Sequence, residues 1–133
     1  MPGNLGAPWP VPPGSRREVR RMNILIVEDH KLIAMDLEEM LSAQGHTVEG
    51  TVVTACDCLA RCAESPPDLV VTDLNLADGP TGLGLVDALA EQGIPTVIVS
   101  GDAGSVPAGT PAKAVVKKPV HECELEIAVG RLG

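Results

Sequence analysis

The chain contains 133 residues, of which 44% are hydrophobic and 21% charged, as expected for one ordinary soluble domain. Ten Lys and Arg against 18 Asp and Glu give a net charge of −8, and the acidic excess lies in residues 22–133, which disfavours nucleic-acid binding. The chain contains one Trp (Trp9) and no Phe or Tyr, which excludes a binding site that stacks bases or sugars on several aromatic rings. No apolar run could span a membrane and no secretory signal is present, so we expect a cytoplasmic protein without membrane contacts.

Residues 1–21 differ in composition from the rest of the chain. They contain five Pro and three Gly and show neither helical nor strand periodicity. This composition is typical of a disordered tail. No internal repeat is visible in the remainder, so we expect a tail over residues 1–21 and one folded domain over residues 22–133.

From Met22 onward, short β-branched runs alternate with amphipathic stretches. Residues 23–27 form a continuous apolar run followed by acidic residues, which is typical of a strand buried on both faces of a parallel sheet. Residues 30–44 carry apolar side chains at a spacing of four, which predicts a helix. The same criteria predict further strands at 47–51, 69–72, 95–99 and 114–116, and helices at 55–64, 83–92 and 121–132. Five strands alternating with helices predict a doubly wound parallel sheet.

The connection between the fourth and fifth predicted strands is rich in Gly and Pro. Between Gly101 and Pro111, no stretch longer than two residues is free of both. A helix interior loses about 1 kcal/mol per Gly and about 3 kcal/mol per Pro relative to Ala. We therefore expect the fourth helix to be shortened to one turn at most, or replaced by a mobile loop.

Polar side chains follow four of the predicted strands. They are Glu28 and Asp29 after the first strand, Asp73 after the third, Ser100 after the fourth, and Lys117 and Lys118 after the fifth. Because the carboxyl ends of parallel strands meet at one sheet edge, these groups should converge on a shallow pocket, which one of the two lysines can face. Three adjacent carboxylates repel one another without a cation, and hard oxygen ligands suit Mg²⁺. The set matches the needs of phosphoryl transfer to an aspartate.

The order of these residues resembles that of response-regulator receiver domains of bacterial two-component systems, over residues 22–132. The resemblance implies a flavodoxin-like five-stranded parallel fold. It implies that Asp73 is the phosphoacceptor, that Asp29 binds Mg²⁺ directly, that Glu28 acts through metal-bound water, and that Asn75 supplies a backbone carbonyl. Ser100 and Lys118 would contact the phosphoryl group, and the peptide between Lys118 and Pro119 is expected to be cis.

The resemblance also implies a function in a phosphorelay. The phosphoryl group would come from a phosphohistidine on a sensor histidine kinase or a histidine phosphotransfer protein, and the chain would catalyse only its own phosphorylation and dephosphorylation. Receiver domains usually carry Tyr or Phe where this chain has Val115, so an aromatic switch cannot operate. This departure and the short 101–113 connection resemble the single-domain FATGUY group. No effector domain follows Gly133 in the sequence, so we expect output through contact with a protein.

Two other functions and two other roles for single residues compete with this interpretation. A receiver fold can act as an adaptor that signals without phosphorylation. Haloacid-dehalogenase-like phosphohydrolases need a second Asp two residues after the nucleophile, where this chain has Asn75. Asp29 could cap the following helix, and Asp102 could influence the lifetime of the phosphoryl group from the pocket rim.

The cysteine spacing also permits more than one interpretation. Cys56, Cys58 and Cys62 lie on one predicted helix, and a zinc site with a histidine is conceivable. However, positions i and i+2 point about 200° apart on a helix, and no Cys-x-x-Cys pair exists. We expect the three thiols to pack as small apolar side chains, without disulfides.

Overall fold

A computed structural model describes residues 21–130. Expectations for residues 1–20, including most of the predicted tail, and for residues 131–133 lie outside the described residues. The strands are β1 (Asn23–Val27), β2 (Thr47–Val52), β3 (Leu69–Thr72), β4 (Thr96–Ser100) and β5 (Ala114–Lys117), and the helices are α1 (Lys31–Ala43), α2 (Ala55–Glu64), α3 (Gly82–Glu91) and α4 (Glu122–Gly130). Each helix of residues 21–130 is too short or too polar to cross a bilayer.

The five strands form one parallel sheet in the order β2-β1-β3-β4-β5. This confirms the doubly wound fold predicted from the alternation of strands and helices. Predicted and observed boundaries agree to within one residue, and the end predicted for the last helix, at residue 132, lies outside the described range. The order reverses beside β1, which places the carboxyl ends of β1 and β3 next to each other.

The two faces of the sheet are covered by different helices. Ile24 and Ile26 of β1 pack in a core cluster with residues of α1 and α4, while Leu25 and Val27 pack in a second cluster with residues of α2 and α3. This division follows from the alternation of side chains along a strand. Both faces of β1 are therefore buried, and packing from both sides fixes the position of its carboxyl end.

The connection between β4 and β5 contains no α-helix. Regular structure in its described residues is limited to a 3₁₀ turn at Ala103–Ser105. The shortened fourth helix predicted from the Gly and Pro content is confirmed. The mobility predicted for residues 101–113 stays a prediction.

All four cysteines are free, and they do not all pack as expected. Cys58 and Cys62 are buried against the sheet, as predicted for small apolar side chains. The expectation for Cys56 was wrong, because its side chain is exposed. The reason is helical phase: positions 58 and 62 share a face of α2, whereas position 56 lies on the opposite side. This separation also leaves the three thiols without a common point for a zinc ion.

Candidate functional site

Three carboxylates meet at the carboxyl ends of β1 and β3. One oxygen from each of Glu28, Asp29 and Asp73 lies within 4.8 Å of the other two. Glu28 and Asp73 are buried, whereas Asp29 is exposed and opens the cluster to water. Asp29 does not cap α1, because the N-cap is His30, which makes no side-chain capping bond. The alternative role considered for Asp29 is therefore wrong.

Lys118 supplies a positive charge to this cluster from the end of β5. Its ammonium donates to Asp73 Oδ2 at 2.8 Å and to Glu28 Oε1 at 3.0 Å. Its side chain is 18% exposed, against 11% for Asp73 and 1% for Glu28. Lys117, by contrast, is exposed. The peptide between Lys118 and Pro119 is cis, as expected.

Burial and hydrogen bonding shift the pKa values of Glu28 and Lys118 in opposite directions. Burial raises the pKa of Glu28 above its ordinary value, and the hydrogen bonds from Lys118 and from the His30 N–H reduce this increase without abolishing it. Burial on its own would lower the pKa of Lys118, but its hydrogen bonds to Asp73 and Glu28 outweigh that effect and raise it. Lys118 is therefore a permanently charged ammonium at neutral pH.

Ser100 lies at the end of β4, next to the end of β5. It is buried, and its Oγ accepts the N–H of Asp102 at 3.0 Å. Because that bond uses an oxygen lone pair, the hydroxyl proton is free to be donated elsewhere. Asp102 is exposed, and its carbonyl accepts the Ser105 hydroxyl at 2.8 Å.

The segment after Asp73 is fixed closely against the start of α3. The Leu74 N–H donates to Asp73 Oδ1 at 2.6 Å, and the Gly82 N–H donates to the Leu74 carbonyl at 2.9 Å. A Cβ at Gly82 would overlap the Asp73 carbonyl and lie 2.5 Å from the Leu74 Cα. Asn75 is exposed on this segment.

Sequence reasoning did not single out two residues of this region, Asp78 and Gly82. The Asp78 carboxylate accepts two N–H groups at the start of α2, and Gly82 allows α3 to contact the acceptor peptide. In the sequence, both residues read as parts of a Gly- and Pro-rich loop. An Asp-Gly pair close to a Thr was the available signal, since these residues commonly make side-chain bonds to nearby backbone.

The cluster has the chemistry of a cation site. With all three carboxylates ionised, one ammonium leaves two negative charges uncompensated, and each donor is a hard oxygen. Within the described part of the chain, this is the one group of His, Cys, Asp and Glu side chains close enough to share an ion.

An apolar groove lies beside the cluster, between α1 and the β5–α4 connection. Its volume is about 380 Å³, and it is lined by Ile33, Asp36, Leu37, Met40, Lys118, Pro119 and Val120. Lys118 belongs both to this groove and to the carboxylate cluster. A molecule seated in the groove would therefore lie next to Asp73.

Comparison with known proteins places this geometry in a family. Residues 24–129 match the response regulator receiver domain model. The chain is 40% identical over 79 residues to the phyllosphere-induced regulator PhyR of Methylorubrum extorquens, covering 58% of this chain and 30% of that protein. The match thus spans less than a third of the length of that relative.

Solved structures give the same result. The solution structure of SdrG from Sphingomonas melonis is 35% identical with a TM-score of 0.73, covering 84% of this chain and 96% of that one. The crystal structure of the anti-anti-sigma factor PhyR from Bartonella quintana is 26% identical with a TM-score of 0.74, covering 86% of this chain and 48% of that one. The chain therefore belongs to the response regulator receiver domain family of two-component signalling.

Proposed function

We propose that this chain is a phosphoreceiver whose Asp73 accepts a phosphoryl group from a phosphohistidine on a sensor histidine kinase or a histidine phosphotransfer protein. The observation that carries this proposal is the position of Lys118, whose ammonium lies 2.8 Å from Asp73 Oδ2 at the edge of the carboxylate cluster. The ammonium compensates charge at the point where an anionic donor would have to approach.

Asp73 is the best nucleophile of the three carboxylates. Both Glu28 oxygens accept hydrogen bonds, one from Lys118 and one from the His30 N–H, and the side chain is almost wholly buried. Asp73 retains some exposure, and the Leu74 N–H orients its carboxylate. Asp29 is exposed, and the hydrogen bonds of the Lys118 ammonium go to Glu28 and Asp73 instead. Access and orientation together favour Asp73.

The donor set fits Mg²⁺. The Asp29 and Asp73 carboxylates and the Asn75 carbonyl would hold the ion directly, with Glu28 acting through a bound water. When bound, the ion would supply positive charge that offsets the repulsion between the anionic donor and the carboxylates. The exposure of Asp29 and Asn75 leaves room for the waters that Mg²⁺ retains.

The chain's own residues then stabilise the transfer. The bond from the donor histidine nitrogen to phosphorus breaks as an Asp73 oxygen bonds to phosphorus, and the donor ring, which carries a proton on its other nitrogen, leaves as a neutral imidazole. Lys118 and the Ser100 hydroxyl donate to the phosphoryl oxygens on which charge accumulates. The product is an acyl phosphate, which water can hydrolyse, so the chain changes only its own state and the change is temporary.

The partner in signalling output is proposed to be a protein. The PhyR of Bartonella quintana is an anti-anti-sigma factor, but this chain covers only about half of it (48%). That activity belongs to a longer protein, so we limit the proposal for this chain to output by protein contact. The groove beside Lys118 supports docking of the phosphoryl donor, because a donor protein must place its histidine next to Asp73.

Mass spectrometry of the intact protein tests the proposal. Incubation with Mg²⁺ and a small acyl phosphate should add the mass of one phosphoryl group to the wild type and to the Lys117→Ala variant. Asp73→Asn should remain folded and unlabelled. Labelling of Asp73→Asn at Asp29 or Glu28 would refute the assignment of the acceptor. A wild type that is never labelled, by either a small donor or a phosphohistidine protein, would favour the adaptor function instead.

A further inference from the structure

We propose that Asp78 is a positioning residue that holds the segment after Asp73, residues 74–77, against the start of α2. This inference rests on the proposed function, because the segment contains Asn75, whose carbonyl is assigned to the metal. Asp78 lies five positions after Asp73, and its carboxylate contacts α2 rather than the acidic cluster. Its role would be to fix the loop that carries ligands, without touching the reacting atoms.

The Asp78 carboxylate links the starts of two helices. Its Oδ1 accepts the Ala55 N–H at 3.2 Å and the Thr81 hydroxyl at 2.8 Å, and its Oδ2 accepts the Cys56 N–H at 3.4 Å. Ala55 and Cys56 begin α2, and Thr81 is the N-cap of α3. The bonds from Thr81, Ala55 and Cys56 hold the pKa of Asp78 below its ordinary value, so the acceptor is ionised at neutral pH.

Backbone bonds hold the same part of the loop. The Ala77 N–H donates to the Val53 carbonyl at 2.9 Å, in the connection that leads into α2. Leu76 and Gly79 exchange two hydrogen bonds, at 2.8 and 3.0 Å, which close a tight turn around Asp78. Two adjacent residues therefore attach the loop to this region: Ala77 binds the β2–α2 connection through its backbone, and Asp78 binds the start of α2 through its side chain.

The other attachment lies at the opposite end of the segment. Gly82 N–H donates to the Leu74 carbonyl, and the Leu74 N–H orients the Asp73 carboxylate. Asn75 lies between these two attachments and is exposed. Because the segment is short, loosening it at Asp78 would give Asn75 and Leu74 more freedom, and that freedom opposes metal binding through lost entropy.

Thr54 offers a matched control at the same helix end. Its hydroxyl oxygen accepts the Asp57 N–H at 2.9 Å, which caps α2 from within its own segment. Thr54→Ala removes a capping bond of similar worth to those of Asp78, but it leaves the loop after Asp73 attached. A comparison of the two variants separates helix capping from loop positioning.

The experiment compares wild type, Asp78→Ala, Asp78→Asn and Thr54→Ala. Amide hydrogen exchange is measured without metal, Mg²⁺ alone is titrated, and labelling by a small acyl phosphate is followed over a range of Mg²⁺ concentrations. Asp78→Ala should speed exchange at the Leu76 and Ala77 amides and weaken Mg²⁺ binding about tenfold, as is common when groups that support metal ligands are lost. Slower labelling should recover at high Mg²⁺. Asp78→Asn should lie between Asp78→Ala and wild type, since one carbonyl-type acceptor remains.

Thr54→Ala should match wild type in Mg²⁺ affinity and in exchange at Leu76 and Ala77. Equal effects of Asp78→Ala and Thr54→Ala on Mg²⁺ affinity, or unchanged exchange in Asp78→Ala, would overturn the proposal. If the wild type bound no Mg²⁺ and took no label, the proposed function would fail. The exchange data would still decide whether Asp78 holds the loop.

Discussion

Replacement of Lys118 by Ala tests the electrostatic design of the site. The ammonium bridges Glu28 Oε1 at 3.0 Å and Asp73 Oδ2 at 2.8 Å, and its side chain is only 18% exposed. Lys118→Ala would leave two buried carboxylates facing each other without compensation. We expect a loss of folding stability in the absence of Mg²⁺, together with slower phosphorylation of Asp73.

The size of the loss follows from the geometry. Unit charges on carboxylate oxygens within 4.8 Å of each other repel by at least about 3.5 kcal/mol per pair at an effective dielectric constant of about 20. Removal of one partner from a buried ion pair costs about 3 to 5 kcal/mol. Glu28 can relieve part of this by taking up a proton, because burial already raises its pKa. We therefore expect Lys118→Ala to lower the free energy of unfolding by about 2 to 4 kcal/mol.

Mg²⁺ gives this prediction a second, distinctive consequence. Lys118 and a divalent cation compensate the same carboxylates, so the variant should gain more stability from added Mg²⁺ than the wild type does. Lys117→Ala is the matched control, since Lys117 is exposed one position earlier on β5. The control should change stability by no more than about 0.5 kcal/mol.

Urea denaturation with and without millimolar Mg²⁺ measures these quantities, and mass spectrometry measures the labelling rate. Equal stability losses for Lys118→Ala and Lys117→Ala would refute the electrostatic argument. A Lys118→Ala variant as stable as wild type without metal would do the same. Stability in wild type that does not respond to Mg²⁺ would contradict the cation site itself.

Two further predictions concern His46 and Gly82. His46 Nδ1 accepts the Met22 N–H at 3.2 Å, and burial lowers the pKa of the His46 ring. As the pH falls, the unfolded state therefore binds the proton first, and the free energy of unfolding should decrease below about pH 6.5. Urea denaturation of His46→Asn should not show this decrease. Gly82→Ala should destabilise the fold and slow the labelling of Asp73, because the added Cβ would overlap the Asp73 peptide. Gly84→Ala is the control, since a Cβ there meets open space; in the same assays it should be neutral or stabilise the fold by up to about 1 kcal/mol.

The sheet and the approach of the carboxylates could be predicted because they depend on local patterns. Continuous apolar runs identify strands buried on both faces, and β1 and β3 have that burial. Once the strands are parallel, residues that follow them must meet at one edge. Glu28, Asp29 and Asp73 do so. The physical rule needs no knowledge of helix packing, which is why it succeeds.

The choice between Lys117 and Lys118 needed more than the local pattern. Strand alternation implies that one lysine faces the pocket, but a one-residue shift of register exchanges them. In the structure, β5 pairs Lys117 with Ser100, and the Lys118 N–H donates to the Ser100 carbonyl at 2.9 Å. The register is set by how β5 packs on β4, which the strand's own four residues do not specify.

The contacts of Asp78 could not be derived from its neighbours in sequence. Its partners Ala55 and Cys56 are 23 and 22 positions away, across a helix and a strand. Local rules assign an Asp before Gly to a turn, and that assignment describes the backbone correctly. The side chain's role depends on where α2 begins relative to the loop, which is a property of the tertiary fold.

Signal output in this chain is expected to pass through Ser100 rather than through an aromatic ring. Val115 has no ring to rotate, and its side chain is partly exposed. The Ser100 oxygen holds the Asp102 N–H, and Asp102 in turn accepts the Ser105 hydroxyl, so a displacement of Ser100 would be passed along by hydrogen bonds. A phosphoryl group on Asp73 that accepted the Ser100 hydroxyl proton would pull the Ser100 oxygen toward itself through a charge-assisted bond, and the Asp102 N–H bonded to that oxygen would have to follow it or lose its acceptor. The surface altered by phosphorylation would then be residues 101–113, where one 3₁₀ turn is cheaper to reorganise than a packed helix.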